Sequence, residues 1–285
     1  MSKKSNSAQR VQELAHAFKC PICGSSVKVD ELTSLVCTNG HNFDFTKQGY
    51  LNLLTHAATS HYSKELFTAR QKIIMEADLY ASLHQEIVQE IDKRCGHSTL
   101  IADLGCGEGS HLQRILDLRE SDSVTGVGLD IAKEGILMAA KNYENPIWLV
   151  GDLAKSPFGD QAVDVIVNIL SPSNYEEFKR MLAPEGLVMK IVPRKDYLKE
   201  LRTALFEKKE YSNEQIVSLF KKHFDLLDIK QITYTKTLEK KDLINLVKMT
   251  PLAWSGEEAL IEQFLQRDSV EMTVDLDMLV GQKKK

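Results

Sequence analysis

Four side chains near the amino end have the types and spacing of a metal site. Cys20-Pro-Ile-Cys23 is followed, after 13 residues, by Cys37-Thr-Asn-Gly-His41. Zinc takes four soft or borderline ligands in a tetrahedron, and a Cys-x2-Cys turn sets two thiolates on one side. Cys37 and His41, with Gly40 in the turn between them, close the other side. Protein ligands fill this set and leave no position for water, so the expected zinc is structural and supplies folding free energy to a small unit. Three buried cysteines beside a surface histidine is the bland alternative, and two paired spacings in one turn-rich segment argue against it. His56 and His61 fall outside the spacing and read as surface or RNA-facing groups.

A second constellation starts at Asp103-Leu-Gly105-Cys-Gly107-Glu108-Gly109. A nicotinamide or flavin fingerprint needs G-x-G-x-x-G/A, and here the third glycine comes one residue early. An Asp two residues before the first Gly suits S-adenosylmethionine instead. That cofactor has no pyrophosphate; its methionine end carries an ammonium and a carboxylate, which an acidic side chain and exposed backbone N–H groups can hold. Asp130, 25 residues past Gly105, is expected at a strand end facing the ribose hydroxyls. Asp152, in Gly151-Asp-Leu153, is expected near the adenine amine. Turn and capping roles are the alternative for each residue alone; the three together at successive strand ends favour the cofactor.

The elements that must hold these residues follow from apolar spacing. Residues 18–54 read as short strands at 26–29, 34–37 and 43–45, bounded by turns. Residues 63–94 carry apolar side chains at helical spacing, in two helices that break near 78–80. Strands are expected at 99–104, 123–129, 146–150, 163–170 and 187–192, with helices at 110–118, 133–143 and 174–182 between them. Helices at 197–206 and 213–224, a strand at 226–236 and a last antiparallel strand at 270–280 complete the chain. Strands separated by helices of this length build a doubly wound, Rossmann-like α/β sheet. The expected division is a zinc-binding domain at 1–54, a helical linker at 55–98 and a methyltransferase domain at 99–285. Asn168 and Pro172, at the end of the fourth sheet strand, are the candidates for bordering the methyl-accepting atom; an N-cap at Ser173 or Asn174 explains the same stretch structurally.

Composition bounds the function. The 285 residues carry a net charge of −4, which excludes a globally basic nucleic-acid coat, and 43% hydrophobic content suffices for a core. Locally, residues 1–50 hold six Lys/Arg against four Asp/Glu, so a basic face is still available. The sequence has no apolar run of about 18 residues and no signal-peptide pattern, and five unevenly placed cysteines do not form a disulfide scaffold. The expected setting is the cytoplasm.

Together these motifs resemble the 23S rRNA (guanine-N1)-methyltransferases, the RlmA/TlrB group. The resemblance runs through the cysteine pairs, Gly49-Tyr-Leu-Asn-Leu-Leu54, the glycine loop, Gly128-Leu-Asp130-Ile, Leu182-Ala-Pro-Glu-Gly186 and Met249-Thr-Pro-Leu-Ala-Trp254. It implies S-adenosylmethionine-dependent methylation of guanine N1 in the hairpin-35 loop of 23S rRNA, beside the tunnel where macrolides bind. It also implies a homodimer and an RNA-recognising zinc module. By the same resemblance Tyr80, Gly107, His111 and Leu112 contact the cofactor, as does Tyr197, which stands where the family usually has His; Asp103, Gly105 and Glu108 complete the loop set. Guanine N1 bears a proton that must leave, so the site needs a desolvated pocket and a proton acceptor, and the sequence assigns none. Tyr50, Tyr175 and Trp254 are candidates for stacking on an extruded base. A methyltransferase acting on a small molecule or protein, or a non-catalytic zinc-bearing RNA-binding protein, are the competing readings.

Overall fold

The computed structural model describes residues 2–56, 62–96, 99–119, 124–206 and 211–284; His61 lies outside the described residues. Helix α1 (Lys3–Glu13) starts at Ser2, whose hydroxyl accepts from the Ser5 backbone N–H. Strands β1 (Val27–Asp30), β2 (Ser34–Cys37) and β3 (Asn42–Asp44) form a small antiparallel sheet, one residue displaced from expectation in β1 and β3. The register, Val27 opposite Cys37 and Ser34 opposite Asp44, fixes the offset. Strand β4 (Leu51–Asn52) then leaves this ribbon and joins the large sheet, an addition to the expected elements.

Helices α2 (Lys64–Met75) and α3 (Ala81–Arg94) follow, broken where Asp78 takes φ of 54°. The alternating region is β5 (Thr99–Leu104), α4 (Ser110–Arg119), β6 (Val124–Asp130), α5 (Lys133–Asn142), β7 (Ile147–Val150), β8 (Val163–Ile169), α6 (Tyr175–Met181) and β9 (Leu182–Pro193). Then come α7 (Lys199–Leu205), α8 (Glu214–His223), β10 (Phe224–Glu239), α9 (Lys240–Met249), α10 (Glu258–Leu265) and β11 (Ser269–Lys283). Helices α9 and α10 are also additions; α9 buries Leu243, Leu246 and Val247 at helical spacing, whereas α10 buries Phe264 alone.

The large sheet has the order β10-β11-β9-β8-β5-β6-β7-β4. Strands β4 through β9 pair in parallel, while β11 runs antiparallel between β9 and β10. The chain winds outward in both directions from β5, so a switch point opens beside its carboxyl end, between β5 and β8. One apolar core covers the sheet face under α3, α4, α5 and α9; the other lies under α6 and α8 and continues into the ribbon through Cys20, Leu35 and Cys37. Among the described residues no helix is long and apolar enough to cross a membrane.

Candidate active site and zinc centre

The ribbon brings its four predicted ligands together. Cys20, Cys23, Cys37 and His41 place their ligand atoms within 4.8 Å of one another. Individual edges are 3.8 Å for Cys23 Sγ to Cys37 Sγ, 3.6 Å for Cys20 Sγ to His41 Nδ1 and 3.3 Å for Cys37 Sγ to His41 Nδ1. A tetrahedron with Zn–S bonds of about 2.3 Å has edges of about 3.8 Å, so these residues fit zinc. A hydrogen bond from Ser25, helped by Asn39, brings the Cys23 thiol down to about 5, which favours the thiolate that binds metal.

The second site is a cavity of about 870 Å3 at the carboxyl ends of the central strands. Its floor is the β5–α4 turn. Gly105 has φ of 81° and Gly107 has φ of 61°; a Cβ on Gly105 would strike Ser171 Oγ, and one on Gly107 would strike the Arg70 guanidinium. Glycine is therefore required for conformation and for space. The turn is tied to β6: Gly105 N–H donates to the Leu129 carbonyl at 2.8 Å, and Gly107 N–H donates to Asp130 Oδ2 at 2.8 Å.

Of the residues expected at the cofactor, Tyr80, Gly105, Gly107, His111, Asp130, Asp152 and Tyr197 line this cavity. Asp103, Glu108 and Leu112 are buried beside it and do not border it. Among the described residues Asp103 Oδ2 has no hydrogen-bond partner, and burial, against the pull of Arg70, lifts this carboxyl to about 7. Glu108 Oε2 accepts from Arg70 Nη1 at 3.0 Å, while its Oε1 has no partner among the described residues. Buried carboxylate oxygens left without donors beside an open cavity suit a ligand that carries positive charge and N–H groups. Tyr80 and Tyr197 share a hydrogen bond of 2.6 Å. His111 Nδ1 lies 2.8 Å from His84 Nε2, and burial holds both imidazoles neutral, His84 at about 3.

The two reacting-face candidates separate. Pro172 lines the cavity, whereas Asn168 is buried and turned inward. Asn168 Nδ2 donates to the Leu104 carbonyl at 2.6 Å and to the Pro172 carbonyl at 3.1 Å, and its Oδ1 accepts from Ser173 Oγ at 2.9 Å. It holds the 170–173 loop rather than facing the cavity. Of the stacking candidates, Tyr50 and Tyr175 are core residues, the latter packed against Phe178, Phe220 and Phe224. Their burial removes them as base platforms. Trp254 is 53% exposed, and its ring lies 5.8 Å from that of Tyr62, which lines the cavity and is 43% exposed. Exposed His56 sits 3.8 Å from Asp152.

Among the lining residues that escaped the sequence reading are Tyr62, Arg70 and Lys190. Arg70 and Tyr62 lie on or just before a helix whose register over the glycine loop is a tertiary fact. Lys190 left a readable mark, a lone charge inside the apolar run Leu187–Val192.

A switch-point cavity, a glycine turn after the first central strand and carboxylates on the next two strand ends define an S-adenosylmethionine-dependent class I methyltransferase, here carrying a zinc ribbon. Residues 18–57 match the family described as RlmA, N-terminal, and residues 101–186 match the methyltransferase domain family. The chain is 40% identical over 273 residues to YxjB of Bacillus subtilis, named as a 23S rRNA (guanine-N1)-methyltransferase, with 93% of this chain and 97% of that protein covered. It is 27% identical over 242 residues to the 23S rRNA (guanine(748)-N1)-methyltransferase of Streptomyces fradiae, covering 83% of this chain and 85% of that one. A chain in the solved complex of the Haloferax volcanii Trm112 methyltransferase activator with a methyltransferase shares the fold. There the TM-score is 0.50 and the identity 18%, over 80% of this chain and 100% of that one. The chain belongs to the 23S rRNA (guanine-N1)-methyltransferase family.

Proposed function

We propose that this protein methylates N1 of one guanine in the hairpin-35 loop of 23S rRNA, with S-adenosylmethionine as donor. The observation that carries the reading is one cavity lined both by Asp130 and Asp152 and by exposed Tyr62, whose ring lies 5.8 Å from that of exposed Trp254. Its 870 Å3 lies at the upper end of the usual range for ligand sites, about 300–1,000 Å3, leaving room for a base beside a cofactor.

In this reading the Asp103 carboxylate, buried beside the lining, attracts the cofactor's ammonium, and Arg70, held by Glu108, takes its carboxylate. Asp130 takes the ribose hydroxyls and Asp152 the adenine amine. Tyr80, Gly105, Gly107, His111 and Tyr197 form the walls, with Leu112 packed beneath the loop. The bound cofactor supplies an electrophilic methyl group. The chain's own part is to orient the base, exclude water and accept the N1 proton. N1 lies on the pairing edge, so the guanine must be unpaired; extrusion costs a few kcal/mol and least in a loop. Stacking on an aromatic ring returns about 1–3 kcal/mol per base, which Tyr62 and Trp254 are positioned to provide. Residues 1–54 serve as the RNA-recognising zinc unit, 55–98 as the linker and 99–285 as the catalytic unit. The working form is a cytoplasmic homodimer; free thiols at all described cysteines suit a reducing compartment.

Mass spectrometry of 23S rRNA fragments from matched strains with and without the gene tests this. One methylguanine in the hairpin-35 fragment should disappear on deletion, together with a reverse-transcription stop at that base. Identical fragments from the two strains would refute it.

A further inference from the structure

Lys190 sits where a charged residue is costly. It interrupts the buried run Leu187–Val192 of β9, opposite Asn168 on β8 and Leu279 on β11. The residue is buried yet lines the cavity, at the loop that carries Pro172. Its Nζ donates to Asn168 Oδ1 at 2.6 Å and to the Ser171 carbonyl. Asn168 cannot turn its amide over, because Nδ2 is committed to the Leu104 and Pro172 carbonyls. Both partners of Nζ therefore only accept. Around a tetrahedral nitrogen, Cε and two acceptors occupy three directions. A neutral amine satisfies both acceptors with its two N–H bonds and keeps a lone pair in the fourth direction.

Resting on the guanine-N1 reading above, we propose that Lys190 is the general base of the reaction, its free lone pair receiving the N1 proton of the target guanine. The N1–H bond breaks toward Nζ, and the pair left on N1 forms the bond to the methyl carbon. The S–C pair of the donor stays on sulfur. Lys190 is left as an ammonium and gives its proton to water once the products depart.

The surroundings keep the amine within reach. Burial alone lowers Lys190 to about 8. The strands on either side place no charge against it, Asn168 and Leu279 being its neighbours in register. The charged residues that line the cavity with it are Arg70, Arg194 and Arg202 on the positive side and Asp130 and Asp152 on the negative. Arg194 is itself paired with Asp275 at 2.7 Å and Asp277 at 3.2 Å on β11. His111, Tyr80, Tyr197 and Tyr211 stay uncharged at neutral pH. A bound sulfonium adds to the positive side, which favours the neutral amine.

The test uses the zinc-loaded full chain, a 23S rRNA fragment and single-turnover rates from pH 6 to 9. The wild-type rate should rise about tenfold per pH unit and level near 8. Lys190→Met should lose about 100- to 10,000-fold, the usual worth of a general base, with zinc content and S-adenosylhomocysteine affinity kept. Lys190→Gln, which retains a donor to Asn168, should be equally slow; a structural role would be rescued by it. Replacing the target guanine by 6-thioguanine, whose N1–H is more acidic, should restore part of the rate in both variants. Independently of activity, the 13Cε resonance of Lys190 should titrate near 8 instead of the ordinary lysine value of about 10.4. A wild type that methylates N1 while Lys190→Gln matches its rate and pH profile overturns the base alone, as does an ordinary titration midpoint. A wild type that leaves guanine N1 unmethylated overturns the rRNA reading and the base with it.

Discussion

Cofactor affinity should depend on pH through Asp103, and the dependence can be worked from its setting. Asp103 is the last residue but one of β5 and is buried, and among the described residues its Oδ2 has no donor. Burial is the main cause of its rise to about 7, with Arg70 opposing and Asp130 and Glu108 adding to it. The folded value lies above the unfolded one of about 3.9. The folded chain thus binds the extra proton, and the stability this group confers is present below pH 4 and lost as pH rises through 7. A shift of about three units is worth about 4 kcal/mol, which an ammonium placed beside the carboxylate would largely recover. Binding such a ligand must then expel the Asp103 proton, so affinity rises with pH. Between pH 6 and 7 the ionised fraction of the free protein grows from about one in eleven to one in two. That is a fivefold gain in affinity, or about 1 kcal/mol. Calorimetry with S-adenosylhomocysteine, in buffers of different ionisation enthalpy, measures both the affinity and the proton release. This ligand keeps the ammonium but lacks the sulfonium, which separates Asp103 from Lys190. Its own amine, beside an ionised carboxylate, titrates above the roughly 7.7–8.0 of a peptide terminus and stays protonated across the window. Asp103→Asn should bind with no slope over the same range. An equal slope in that variant, or none in the wild type, refutes the assignment.

Three further outcomes follow from the same geometry. Cys23→Ser should release zinc, read by metal analysis, and abolish rRNA methylation while cofactor binding survives in weakened form; full retention of activity without metal would contradict a structural role. Asp130→Ala should weaken S-adenosylhomocysteine by about 1–3 kcal/mol, since it removes the acceptor for Gly107 N–H as well as the proposed ribose contact; an unchanged dissociation constant removes Asp130 from the site. Trp254→Ala should leave cofactor affinity within twofold and weaken the rRNA fragment by about 1–3 kcal/mol, measured by filter binding, with equal RNA affinity counting against the aromatic mouth.

What could be read from the chain depended on whether the signal was local. The zinc ligands were legible because four residues at two tight spacings carry the whole site. The order β5 to β9 was legible because each strand is a short apolar run punctuated by turn residues. Gly105, Asp130 and Asp152 followed once those strands were placed, since strand ends in such a sheet converge on one crevice. Arg70 was hidden because its partner Glu108 lies 38 residues away and only the packing of α2 over the loop unites them. Asn168 was identified as a residue of the site, but its inward turn depends on carbonyls at Leu104 and Pro172 that the sequence does not orient. Tyr50 and Tyr175 misled because an aromatic residue carries the same letter in a core as on a rim.

The ribbon's seam with the sheet explains why zinc should matter at the cofactor end. Phe18, two residues before the first zinc ligand, forms a bridge with Phe158, and Lys19 N–H donates to the Pro157 carbonyl at 2.7 Å. Gly159 N–H returns a bond to Ala17 at 2.8 Å. Further on, β4 pairs in parallel with β7, and Leu53 N–H donates to the Val150 carbonyl at 2.8 Å. These contacts bracket the segment that carries Asp152, on its sequence neighbours at Val150 and at Pro157 to Gly159. Cys20, Cys37, Leu51 and Leu149 also share one apolar core. Zinc fixes the first ribbon turn, the turn fixes Phe18 and Lys19, and these hold the loop after Asp152. Loss of the metal therefore loosens one wall of the cavity while the β5–α4 turn keeps its own bonds to Leu129 and Asp130, which is why Cys23→Ser should weaken the cofactor yet not abolish its binding.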